Sequence, residues 1–138
     1  MAEALILDSE ALNALANPTQ RGAVAMRARA IARVAHQRGA LVRVPSPVLA
    51  EVCRGSPLDA AINHFLNRDF AKVVDLSRPI AQRAGSLLAA ARMSSVHAID
   101  AFVVAIALEF DVSIIATGDP KDIKRLAANH PHVSVLAL

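Results

Sequence analysis

Four acidic side chains stand where an α/β chain would bring them together: Asp8, Glu51, Asp100 and Asp119. Asp8 closes the apolar run Ala4-Leu5-Ile6-Leu7, and Asp119 comes shortly after Val112-Ser113-Ile114-Ile115-Ala116. Asp100 lies inside Ala98-Ile99-Asp100-Ala101-Phe102-Val103-Val104-Ala105, where nearly every neighbour is apolar. In a parallel sheet the carboxyl ends of the strands share one edge, and ligands bind there. Carboxylates gathered at that edge repel one another unless something positive sits among them. A divalent metal ion is the simplest such charge, and a metal held by carboxylates points to phosphate chemistry.

Each acid also has a purely structural explanation. Asp8, between a strand and a helix, would accept hydrogen bonds from free helical amides as an N-cap. Asp119 before Pro120 is a capping arrangement as well, and Glu51 would be an ordinary exposed helix residue. Asp100 resists this treatment. It is expected mid-helix, where Asp has poor propensity and caps nothing. A buried carboxylate without a partner is costly, so it needs a counter-charge or a proton. His97, one turn earlier, is the competing structural partner.

The elements that must position these acids can be read from the pattern. A first strand covers 4–7 and a helix about 9–16, stopped by Asn17-Pro18. Thr19 is expected to cap a helix running from Arg21 to Arg38, closed by Gly39 at C′. Leu41-Val42-Arg43-Val44 reads as strand two. Ser46 is then expected as an N-cap, with Pro47 opening a helix to Arg54 that carries Glu51. A helix over about 58–68 precedes strand three, Lys72–Leu76. Ser77 begins a helix to about Met93, and Ser94 or Ser95 caps a helix over 96–110 whose apolar surface, nearly all round, places it centrally. Val112–Thr117 is strand four, Asp119-Pro120 opens a helix to about Asn129, and Val133–Leu136 is a short terminal strand. Strands alternating with helices call for a three-layer α/β/α fold, with a parallel sheet of about four to five strands, in a single domain over 1–138.

Composition narrows the classes further. Of the 138 residues 54% are apolar, which argues against disorder. Four Phe and no Trp or Tyr leave little scope for stacking on bases. The single cysteine, Cys53, forbids an internal disulfide and a zinc-knuckle pattern, and reads as a small buried hydrophobe. Met1-Ala2-Glu3-Ala4 lacks the basic start of a signal peptide, and no apolar run is long enough for a membrane span, so a cytoplasmic protein is expected. The formal net charge is +3; setting the four acids aside leaves 15 Lys and Arg against eight of the twelve Asp and Glu. Twelve of those cations are Arg, whose fork grips phosphate. A cationic surface around an acidic pocket suits a nucleic-acid substrate.

Taken together, the motifs resemble the PIN-domain family, and within it the small VapC-like ribonuclease toxins of bacterial type II toxin–antitoxin modules. The resemblance rests on Ile6-Leu7-Asp8-Ser9, on Pro47-Val48-Leu49-Ala50-Glu51-Val52, on His97-Ala98-Ile99-Asp100-Ala101-Phe102-Val103-Val104-Ala105, and on Ile115-Ala116-Thr117-Gly118-Asp119 running on to Asp122-Ile123. It implies metal-binding acids at Asp8, Glu51, Asp100 and Asp119, with a functional hydroxyl at Thr117 and Ser9 as the small polar residue after the first acid. The last motif of the family often ends in Asp-Phe where this chain has Asp122-Ile123, which leaves open whether Asp119 or Asp122 faces the pocket. Asp119, nearer the strand end, is preferred, and Asp122 is assigned to the helix surface.

The resemblance further implies an endoribonuclease in which Mg2+ or Mn2+ activates the water that hydrolyses an RNA phosphodiester. It also implies a VapB-like antitoxin partner and a homodimer. Mild support for a partner surface comes from the apolar excess of the helix carrying Ala23, Val24, Met26 and Val34. The rival from another class is a non-catalytic RNA- or protein-binding α/β module. An aspartate-based phosphotransferase is disfavoured because Asp8-Ser9-Glu10 lacks an Asp-x-Asp pair, and neither a P-loop nor Gly-x-Gly-x-x-Gly occurs.

Overall fold

The apolar runs pair side by side as a parallel sheet. The computed structural model describes residues 3–17, 19 and 21–138. Met1, Ala2, Pro18 and Gln20 lie outside the described residues, and with them the reading of the N-terminal start and the Pro18 stop of the first helix. Among the described residues the strands are β1 (Glu3–Leu7), β2 (Leu41–Pro45), β3 (Ala71–Val74), β4 (Val112–Thr117) and β5 (Val133–Ala137). Their order across the sheet is β3-β2-β1-β4-β5, and each neighbouring pair is parallel.

Parallel neighbours need crossovers, and helices supply them. The helices α1 (Ser9–Ala16) and α2 (Ala23–Gln37) join β1 to β2, and α3 (Leu49–Val52) and α4 (Leu58–Leu66) join β2 to β3. β3 leads through α5 (Arg78–Ala91) and α6 (Ala98–Ala107) to β4, and α7 (Pro120–Leu126) joins β4 to β5. α1 packs with α2, α3 and α4, whereas α6 packs with α5 and α7. Both faces of the sheet are thus covered, which gives the expected three-layer α/β/α arrangement. β1 shows the consequence: Ala4, Leu5, Ile6 and Leu7 are all buried, as a strand covered on both sides requires. α6 is the central helix, with Ala101 and Val103 to Ala107 buried. Among the described residues no helix is long and apolar enough to cross a membrane.

Several local expectations hold in detail. Gly39 takes the left-handed conformation (φ 69°) after α2. Its N–H donates to His36 O, and Ala40 N–H donates to Ala35 O at 2.9 Å, the paired bonds of a Schellman ending. Ser77 caps α5, its hydroxyl accepting from Ile80 N–H, with Pro79 in the first turn. Ser94, rather than Ser95, caps the turn that leads into α6.

Others are corrected. Thr19 does not cap α2; its N–H and hydroxyl both donate to Asn17 Oδ1, at 3.1 and 2.8 Å, and α2 begins only at Ala23 with Gly22 (φ 96°) as N-cap. A local Asx turn has captured the polar groups a cap would use. Ser46 caps nothing either. Residues Ser46–Val48 form a 3-10 turn, and the Ser46 hydroxyl accepts from Leu76 N–H across 30 residues of sequence. The helix carrying Glu51 is correspondingly short. It stops at Val52, where Cys53 leaves helical geometry (φ −90°, ψ 82°). That early stop turns Cys53 to solvent, so the cysteine is exposed rather than a core residue. α4 and α7 likewise end earlier than their patterns suggest, at Leu66 and Leu126.

Candidate functional site

Strand order reverses beside β1: the chain builds outward to β3, then returns to β4 on the other flank. Such a reversal opens a crevice at the carboxyl ends of the two strands. Asp8 follows the last residue of β1 and is 8% exposed. Its Oδ1 accepts from Ala11 N–H at 3.0 Å, which caps α1, while its Oδ2 accepts from Gly118 N–H at 3.1 Å, just past β4. The capping role and the place in the crevice therefore belong to one side chain. Two backbone amides from different elements hold its carboxylate in a set orientation.

At the end of β4, Thr117 is fully buried and its Oγ1 accepts from Asp119 N–H at 2.9 Å. Thr117 is not part of the cleft wall; it shapes the turn that presents Asp119. A side chain at Gly118 would run into the carboxylate of Glu10, which lies over this turn. Asp119 occupies the N-cap position of α7 but makes no side-chain cap bond. It is exposed and lies close to Asp122, whose charge acts on it.

Asp8, Glu51, Asp100 and Asp119 line one cleft of about 240 Å3, together with Ser9, Glu10 and Gly118. Glu51 reaches it from α3 and is exposed, whereas Asp100 reaches it from α6 and is half-buried. Asp100 is not mid-helix as expected. The turn Ser95–His97 precedes α6, so Asp100 falls in the first helical turn, where the helix dipole favours a carboxylate. Burial first, then repulsion from Asp119, Asp122, Glu51 and Asp8, pushes its carboxyl up to about 6. Asp119 is raised too, by desolvation first and then by Asp122.

His97 does not form an ion pair with Asp100; its Nδ1 lies 3.4 Å from Asp122 Oδ2. Ligand-type atoms of His97, Asp100 and Asp122 all lie within 4.8 Å of one another. Asp122, read from the sequence as a helix-surface residue, is instead half-buried beside Asp100. Its spacing of three from Asp119 was the available signal, since both then sit at the start of one helix. Glu10 was not singled out by sequence reasoning; only the packing of α1 against the end of β4 brings it to the cleft. The donors offered to a cation are thus carboxylate oxygens, with one imidazole at the α6–α7 side. Oxygen donors of this kind fit a hard divalent ion.

Fold and cleft define a three-layer α/β/α protein with an acidic site at the topological switch of a parallel sheet. The PIN domain family model matches residues 5–129, and the chain belongs to that family. A solved toxin–antitoxin complex from Klebsiella pneumoniae contains a chain of the same fold, with a TM-score of 0.65 at 17% identity over 97% of this chain and 99% of that one. No curated protein matches the chain by sequence.

Proposed function

We propose that the protein is a divalent-metal-dependent endoribonuclease, the VapC-like toxin of a type II toxin–antitoxin module. The observation that carries this reading is the cleft itself, where Asp8, Glu51, Asp100 and Asp119 line one cavity and Asp100 is crowded by Asp119, Asp122, Glu51 and Asp8, without a cation in the lining. Asp8, Glu51 and Asp100 would hold Mg2+ or Mn2+, and Asp119 would complete the set, with Asp122 and His97 adjoining it. The ion, when bound, supplies Lewis-acid stabilisation of a phosphate oxygen and eases deprotonation of water. The chain's own residues do the rest. Asp8 is held rigid by two amides, so its oxygens meet the ligand without reorganising. Asp119, exposed at the mouth of the cleft, is within reach of solvent where the attacking water would enter. Thr117 fixes the backbone that carries Asp119.

The same reading supplies the partners: an RNA substrate, a VapB-like antitoxin and a second copy of the chain, in the bacterial cytoplasm. The toxin–antitoxin complex with the same fold supports the antitoxin, and the exposed Met26 and Val34 of α2 are apolar surface for an interface. The test is RNA cleavage by purified protein with Mn2+ and with a chelator, beside Asp100→Asn. Cleavage should require the metal and fall by orders of magnitude in the variant, with circular dichroism unchanged. RNA bound but never cut would replace this reading with the non-catalytic binding module.

A further inference from the structure

The acidic cleft continues past Glu51. Ser9, Glu10 and Glu51 are shared with a second groove of about 410 Å3, whose other side carries Asn13, Arg54 and Ser56. Among the described residues lining the two grooves, Arg54 is the one cation. No aromatic ring lines either groove. A ligand lying there is therefore held by its backbone charge and polar edges, not by stacking.

Arg54 is exposed and only three residues from Glu51, yet it forms no ion pair among the described residues. The reason is the early end of α3. Cys53 leaves helical geometry, so Arg54 is off the helix face where an i, i+3 pair would form. Asp59 does not pair with it: its Oδ2 accepts from Gly55 N–H at 2.9 Å and its Oδ1 is buried without a hydrogen-bond partner. The guanidinium's own bond is a long one, 3.4 Å to Ala50 O. Most of its donors are thus open to an incoming anion, beside the amide of Asn13 and the hydroxyl of Ser56.

A phosphodiester chain carries a charge at every linkage, and only one linkage can sit at the acids. Its neighbours are repelled by Glu10 and Glu51 unless a cation receives them. We propose that the second groove is the track of a single-stranded phosphodiester chain, and that Arg54 binds the phosphate next to the one held in the acidic cleft. This deepens, and rests on, the nuclease reading.

The test is fluorescence anisotropy with a short labelled single-stranded RNA in chelator, so that no metal and no cleavage enter. Arg54→Gln should weaken binding about tenfold and reduce the slope of log K against log salt by about 0.7, the share of one phosphate on a single strand. Arg54→Lys should restore the slope and part of the affinity, because charge returns without the fork. Arg83→Gln, an exposed arginine on α5, should change neither. In Mn2+, Arg54→Gln should raise KM and leave kcat unchanged. Unchanged affinity and slope in Arg54→Gln, an equal loss in Arg83→Gln, or no RNA binding by the wild type would each overturn the inference. Metal-dependent cleavage with an unaltered Arg54→Gln sinks the track alone. Arg54-dependent binding without cleavage sinks the nuclease and leaves the track.

Discussion

Asp100 is held between two opposed tendencies. The first turn of α6 favours its charge, while burial and four acidic neighbours oppose it. With its carboxyl raised from 3.8 to about 6, the folded metal-free protein keeps a proton that the unfolded chain releases. Between these values the folded state binds more protons, so stability falls as pH rises from about 4 to about 6 and levels off above. Thermal melts of the chelated protein across that range check the sign, and Asp100→Asn should flatten the profile. A profile that rises through the window in the wild type would contradict the crowding of acids around Asp100. Metal and proton compete for the same oxygens, so Mn2+ affinity should climb over the window in which stability without metal declines.

At the scale of elements, the strands were legible because each is an apolar run too short for a helix, and α6 because its apolar surface runs nearly all round. Helix ends were legible where one strong signal acted alone. Gly39 is such a case: its left-handed backbone (φ 69°) closes α2 with two hydrogen bonds. Gly39→Ala should cost about 1 kcal/mol in urea unfolding, because a Cβ is disfavoured in that conformation. The same substitution at Gly85, inside α5 and with open space around it, should stabilise by several tenths of that. Where two polar groups competed, the pattern misled. Asn17 took the groups of Thr19, and Leu76, thirty residues away, took the hydroxyl of Ser46. The second of these could not be seen locally, because its partner comes from a distant strand end.

For the molecule as a whole, the reversal of strand order beside β1 is the decisive feature. It sets Asp8 and Gly118, 110 positions apart, in hydrogen-bond contact and lets three further elements bring acids to the same crevice. On the proposed function, a site made this way would tie metal binding to folding, since the unfolded chain has no such cluster. Mn2+ at a hundred times its dissociation constant should add about 2.7 kcal/mol to stability and raise the melting temperature by several degrees. Asp100→Asn should lose that shift. An equal shift in the variant would place the ion elsewhere on the surface.

The sequence by itself determined the succession of strands and helices, the parallel three-layer class and the four acids worth watching. Those follow from apolar period and local chemistry, which act over a few residues. Only the tertiary structure decided which atoms meet: that Asp8 both caps α1 and bonds the β4 turn, that Asp122 stands beside Asp100 and His97, that Thr117 is turned inward, and that Arg54 lines the adjoining groove without an ion pair among the described residues. These depend on how elements distant in the chain are brought edge to edge. Contacts of that kind are set by packing across the whole sheet, and no short stretch of residues encodes them.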